Sequence, residues 1–217
     1  MSTNRLNRKN KRHGTINDIH ANIKSTGATC FQNTTSIKSV TFEGIETIGD
    51  NCFQNASNLQ TVNFCGSLQQ LGVAAFTSCT SLTQINFPEN GSLQTISQEC
   101  FKDCTALEHI SLPQNILQLD NKAFINCYRL NNVELDSNLT TIGQYCFANQ
   151  TPGAKTSTAS QLQYIYIPES TYNIYEGAFQ NNQNLKEAIV GMLNAKDGII
   201  QNYAFSNCPN LQSITFL

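Results

Sequence analysis

A phenylalanine that returns at a nearly fixed interval constrains this chain more than any other feature. It stands at Phe31, Phe53, Phe76, Phe101, Phe124, Phe147, Phe179 and Phe205, with intervals of 22, 23, 25, 23, 23, 32 and 26 residues. Six residues after the anchor comes an aliphatic: Ile37, Leu59, Leu82, Leu107, Leu130, Leu185 and Leu211. Three and five residues beyond that come two more apolar positions, such as Val62 and Phe64, Ile110 and Leu112, or Ile165 and Ile167. Apolar residues at period two mark a short strand with one buried face. A unit of this size carries about five apolar side chains and cannot enclose them, whereas a stack of units can, each covering the next.

A second apolar pair precedes the anchor, as at Ile45/Ile48, Leu68/Leu71, Leu93/Ile96, Ile116/Leu119 and Leu139/Ile142. Gly49, Gly72 and Gly143 follow such pairs, where the expectation is a turn with positive φ. Eight anchors predict eight coils. Equivalent strands paired at about 4.8 Å give a rod on the order of 35–40 Å long.

Residues 1–22 read as a basic tail and N-terminal cap, and 23–217 as the stacked array. Ile16, Ile19 and Ile23 fit either a turn or two of amphipathic helix or a degenerate first coil. After Phe147 the counterpart aliphatic, Leu162, comes fifteen residues on instead of six. The extra residues near 151–160 are rich in Thr, Ser and Ala and contain Pro152-Gly153, which predicts a loop. The last strand, near Leu217, presents an open edge and with it a route to self-association.

The formal net charge is −2, but Arg5, Arg8, Lys9, Lys11 and Arg12 place five of the 13 basic residues at the start. The remainder sets 8 basic against 15 acidic residues, or −7, an unfavourable surface for nucleic acid. The basic start reads as an import or anionic-surface tag or as a solvated tail. No apolar run is long enough for a signal peptide or a membrane span, so at face value the chain is cytoplasmic.

Nine cysteines invite a disulfide reading, yet eight fall in two columns. Cys30, Cys52, Cys100 and Cys146 precede the anchor, where other copies have Ala. Cys79, Cys104, Cys127 and Cys208 follow it by three residues, and Asn33, Asn55 and Asn182 are read into the same column. Alternation with Ala calls for a small buried group, which a free thiol satisfies. Reduced thiols are therefore expected, although column neighbours one coil apart come within bridging range.

The pattern Ile-Gly-x-x-Cys/Ala-Phe-x-x-Cys/Asn-x-x-Leu-x-x-Ile-x-Phe/Leu-Pro resembles the BspA-type leucine-rich repeat, most clearly over 100–113, 139–147, 161–168 and 204–216. The resemblance implies a leucine-rich-repeat solenoid: a right-handed β/α superhelix, β-rich with short helical turns. It also implies surface and adhesion proteins of bacteria and parasitic protists, and hence protein partners such as host or extracellular-matrix proteins. No binding residue transfers from it.

Outward strand positions define the candidate surface: Ser39/Thr41, Thr61/Asn63, Gln84/Asn86, His109/Ser111, Asn132/Glu134, Tyr164/Tyr166, Glu187/Ile189 and Ser213/Thr215. This face is small and neutral until it turns aromatic. Tyr164 and Tyr166, with Tyr172, Tyr175, His109 and Glu134, are the candidate partner-binding residues, since tyrosine buries large area at low entropic cost. Tyrosine also suits strands for reasons of its own. No catalytic constellation, cofactor motif or phosphate loop stands out. Cys104 and His109 as a nucleophile pair fail because the cysteine column points inward. Cys100 and Cys104 as metal ligands fail because each belongs to its own column. The chain reads as a non-enzymatic interaction module, adhesin-like or surface-antigen-like, with an intracellular scaffold as the alternative.

Overall fold

The period-two segments become strands, and in the computed structural model they stack in parallel. The structure describes residues 18–21, 23–88, 91–150, 159–191 and 198–217. Strands β1 (Asp18–Ala21), β2 (Ser39–Phe42), β4 (Thr61–Phe64), β6 (Gln84–Asn86), β8 (His109–Ser111), β10 (Asn132–Glu134), β12 (Tyr164–Ile167), β14 (Glu187–Val190) and β16 (Ser213–Phe216) form the long-strand face. Opposite them run the two-residue strands β3 (Thr47–Ile48), β5 (Gln70–Leu71), β7 (Thr95–Ile96), β9 (Gln118–Leu119), β11 (Thr141–Ile142), β13 (Asn173–Ile174) and β15 (Ile199–Ile200). Every strand pair is parallel, as in Val40↔Val62↔Ile85. β1 pairs with β2, so the segment holding Ile19 is a first strand and not a helix. The tail and much of the insertion, 1–17 and 151–158, lie outside the described residues.

The third side of each coil is the segment around the anchor, and here the expected helical turns give way to another structure. Alternate N–H groups point in different directions. The N–H groups of Asn51, Phe53 and Asn55 donate to Val73, Ala75 and Thr77 of the next coil at 2.9, 2.7 and 2.9 Å. Those of Cys52, Gln54 and Ala56 donate back three residues within the turn. The pattern repeats around every later anchor up to Phe179. A helix would direct all of these donors along its own axis; here half of them bind coil to coil. The geometry requires positive φ two residues before and two after the anchor, as at Asn51 (53°) and Asn55 (60°), or Lys122 (59°) and Asn126 (63°). The described residues contain no helix, and the coils make about seven turns, fewer than the eight counted from the anchors.

Inside, the anchors stand in single file. Adjacent rings from Phe31 to Phe205 stack with centroids 4.9–5.5 Å apart and planes within 18° of parallel, within the range of favourable aromatic pairs. Phe42, Phe64 and Phe87 form a second, shorter file at 5.8 Å. Leu162 is buried despite the insertion. Thr171 takes a place that is apolar in other copies, and its hydroxyl donates to the Leu139 carbonyl at 2.8 Å.

Two column readings change. Gly49, Gly72 and Gly143 do not adopt positive φ. They are small because the coils touch there: an ideal Cβ on Gly72 would lie 2.4 Å from the Asp50 nitrogen, and one on Gly143 would lie 2.6 Å from the Asp120 carbonyl carbon. Asn33 and Asn55 stand two residues after their anchors, not three, and have φ of 59° and 60°. Asparagine tolerates that conformation better than most residues.

All nine cysteines are free, and six are buried. Cys30 is exposed and Cys208 half-buried, which corrects the inward reading of their columns, and Cys65, outside both columns, is exposed as well. In the column after the anchor the thiol acts as a donor. Cys79, Cys104 and Cys127 each donate to the carbonyl of the preceding anchor, Phe53, Phe76 or Phe101, at 3.2 Å. Asn182 does the same with its amide, reaching Phe147 O at 2.9 Å. Cys and Asn share this column as compact donors, so it is not a purely apolar one. Burial pushes the Cys79 thiol up to about 12 and also holds the Cys104 thiol well above the ordinary thiol range. A thiol held protonated is a poor nucleophile.

Candidate interaction surface

The long-strand face is not one continuous sheet. Hydrogen-bonded order runs β1-β2-β4-β6, then β8-β10, then β12-β14-β16. The first break coincides with the 25-residue interval between Phe76 and Phe101, and the second with the insertion between Phe147 and Phe179. The turn ladder and the phenylalanine file run through both breaks. The stack therefore holds while the outer strands separate.

Tyr164 and Tyr166 project from β12 at the second break and are 58% and 48% exposed. Tyr164 pairs in register with Glu187, and Tyr166 with Ile189. Neither hydroxyl has a hydrogen-bond partner among the described residues. His109 and Glu134 are exposed on β8 and β10, where they pair with Asn132 and Ser111 respectively. Tyr172 and Tyr175 flank β13 in the other sheet; the first is exposed and the second half-buried. The structure thus sets Tyr164, Tyr166, His109 and Glu134 on one face and the other two tyrosines beside a different sheet.

Beside Tyr166 at the break lies an open groove of about 520 Å³, lined by Leu135, Ser137, Tyr166, Pro168, Glu169 and Ser170. Five of these six were not singled out from sequence. The available signal was the length of the insertion, which unpairs β10 from β12. Cys104 is fully buried and committed to the Phe76 carbonyl, while His109 is exposed, so the two do not form a catalytic pair. Among the described residues no group of three or more His, Cys, Asp or Glu is placed to hold a metal ion, and no helix is long and apolar enough to cross a membrane.

Parallel strands on a short repeat, an aromatic file and a continuous turn ladder define a β-solenoid of the leucine-rich-repeat class. The chain belongs to the BspA type leucine rich repeat family, which matches residues 24–155 and 94–217 in six copies. Solved structures share the fold. A leucine-rich repeat protein from Bacteroides ovatus is 17% identical, with TM-score 0.54 over 93% of this chain and 69% of that one. The T. pallidum leucine rich repeat protein is 21% identical, with TM-score 0.53 over 82% and 73%. One from Eubacterium ventriosum is 16% identical, with TM-score 0.52 over 92% and 72%. Comparison with curated protein sequences finds no match.

Proposed function

We propose that this chain is a non-enzymatic protein-interaction module that engages its partner through the long-strand face centred on Tyr164 and Tyr166. Leucine-rich-repeat proteins typically bind other proteins. The observation that carries the reading is a pair of half-exposed tyrosines with free hydroxyls on a strand held in register by its neighbour. Aromatic groups presented on a rigid frame lose little entropy on docking and act as interface anchors. The adhesin-like or surface-antigen-like role follows the family resemblance, with an intracellular scaffold as the alternative. Labelling of intact cells with an impermeant reagent separates them: a displayed protein is labelled before lysis, a scaffold only after it.

The test is quantitative capture of partners by the immobilised chain. Tyr164→Ala with Tyr166→Ala is expected to weaken capture by roughly 30-fold or more, as for two interface anchors. Tyr203→Ala, which removes a tyrosine 62% exposed on a turn segment, is expected to leave capture unchanged. Undiminished capture by the double variant overturns the assignment of the face.

A further inference from the structure

We propose that the groove between β10 and β12 receives a basic side chain of the partner protein, arginine in preference to lysine. The inference rests on the long-strand face being the interaction surface, and it names the chemistry that this part of the face selects.

The groove combines the three features that a guanidinium side chain uses. Its apolar surface comes from Leu135, Pro168 and the ring of Tyr166, which suits the methylene stem of a long cationic side chain. The Tyr166 ring is itself a stacking surface for a planar guanidinium. Glu169 lines the groove with its carboxylate, and a second acid, Glu134 on β10 next to the lining residue Leu135, occupies the column that Tyr166 occupies one coil later. Glu169 is seated by a close approach, since an ideal Cβ on Gly191 would lie 2.9 Å from its Cγ and 2.8 Å from its nitrogen. Gly191 therefore leaves room for this acid to lie against the next coil.

Charge supports the same occupant. Among described residues from 130 to 185 there are four acids, Glu134, Asp136, Glu169 and Glu176, and no lysine or arginine. Asp136 already accepts from the backbone and side-chain nitrogens of Asn138 at 3.0 Å, and Glu176 accepts from the Tyr145 hydroxyl at 3.1 Å. Glu134 accepts only a long, exposed contact from Asn132 Nδ2 at 3.5 Å, so Glu134 and Glu169 are the acids most open to an incoming cation. Lys155 falls in the same stretch of sequence but outside the described residues. The described cations that flank the stretch are engaged elsewhere, Arg129 with Glu108, and Lys186 with Gln163 Oε1 at 2.9 Å. A carboxylate edge beside an aromatic ring favours the forked, planar guanidinium over the compact ammonium.

The experiment uses the full chain with isotope-labelled tyrosine rings, titrated with Nα-acetylarginine methylamide. Tyr166→Phe identifies the Tyr166 signals and leaves a ring in place. A saturable shift of those signals is expected. The neutral isostere Nα-acetylcitrulline methylamide should bind roughly tenfold more weakly, with the lysine analogue between the two. Glu134→Gln with Glu169→Gln should remove the preference for arginine over citrulline while leaving the Tyr166 ring signals in place. Equal responses to arginine and citrulline, or no saturable shift at Tyr166, overturn the proposal. The two readings fail separately. Capture lost on removing both tyrosines, with Tyr166 unmoved by the probe, ends the groove assignment alone. A probe that docks while capture survives the tyrosine substitutions ends the claim that the partner uses this face.

Discussion

The coils up to β10 and those from β12 onward share one interior and present different exteriors. The anchor rings stack at 4.9–5.5 Å on either side of the insertion. Outside, the earlier coils satisfy themselves: Asn63 donates to Thr41 Oγ1 at 3.1 Å, Asn86 donates to Asn63 Oδ1 at 2.6 Å, and Gln84 donates to Asn86. From β12 the face carries Tyr164, Tyr166, Glu187 and Ile189 beside an unpaired strand boundary. Stacking dictates the inner columns, because each ring must match the ring above and below. It leaves the outer columns free, so recognition can be written there at little cost to the fold.

The largest effect expected from breaking this comparison is on the shared interior. Phe101 is fully buried between Phe76 and Phe124, and Phe101→Ala should cost about 3–5 kcal/mol, the range for removing a core aromatic. Phe205 is only half-buried and has one stacked neighbour, Phe179, so Phe205→Ala should cost clearly less. Urea unfolding followed by circular dichroism checks both. Equal losses would mean that the file does not act through mutual burial.

Those rings were legible in the sequence because a bulky group repeated in one column has few uses other than stacking. The strands and the place of Leu162 were legible for the same reason. The anchor turn was misread: a short polar run with one aromatic fits a helical turn equally well, and only the neighbouring coil reveals where the alternate N–H groups go. The glycines were read as conformational, whereas Gly72 is small because Asp50 of the adjacent coil lies against it. The cysteine column after the anchor was recognised as pointing inward but not as donating, since a thiol's partner is a carbonyl about 26 residues away. The groove was hidden because it arises where pairing fails: Leu135 and Pro168 sit in the repeat pattern and read as repeat positions alone, and Glu169 carries no pattern of its own.

A smaller effect sharpens the role of the thiols. The folded-state value of Cys79 rises from 9.0 to about 12, chiefly because burial disfavours the thiolate. The folded protein therefore holds this proton more tightly than the unfolded chain between pH 9 and 12. The contribution is fully present below the unfolded value and is lost as pH rises toward the folded one. Stability should fall by up to about 1.4 kcal/mol per pH unit for each such thiol above pH 9. Cys79→Ala should flatten that slope by about one proton, measured by urea unfolding at several alkaline pH values. An unchanged slope would mean that the thiol is not held protonated by the stack.

The smallest effect tests whether the two exteriors differ in kind. Asn63 sits mid-ladder, donating to Thr41 and accepting from Asn86, on a strand whose inner side is closed by Val62 and Phe64. Asn63→Ala removes both contacts, but the position is half-exposed and water can replace them, so the cost should be at most about 1 kcal/mol. Partner capture should match the unmodified chain, because an amide bonded to its neighbours presents less to a partner than an unengaged tyrosine does. Capture that fell as far as with the tyrosine substitutions would erase the distinction between the two exteriors and extend the recognition surface along the whole strand face.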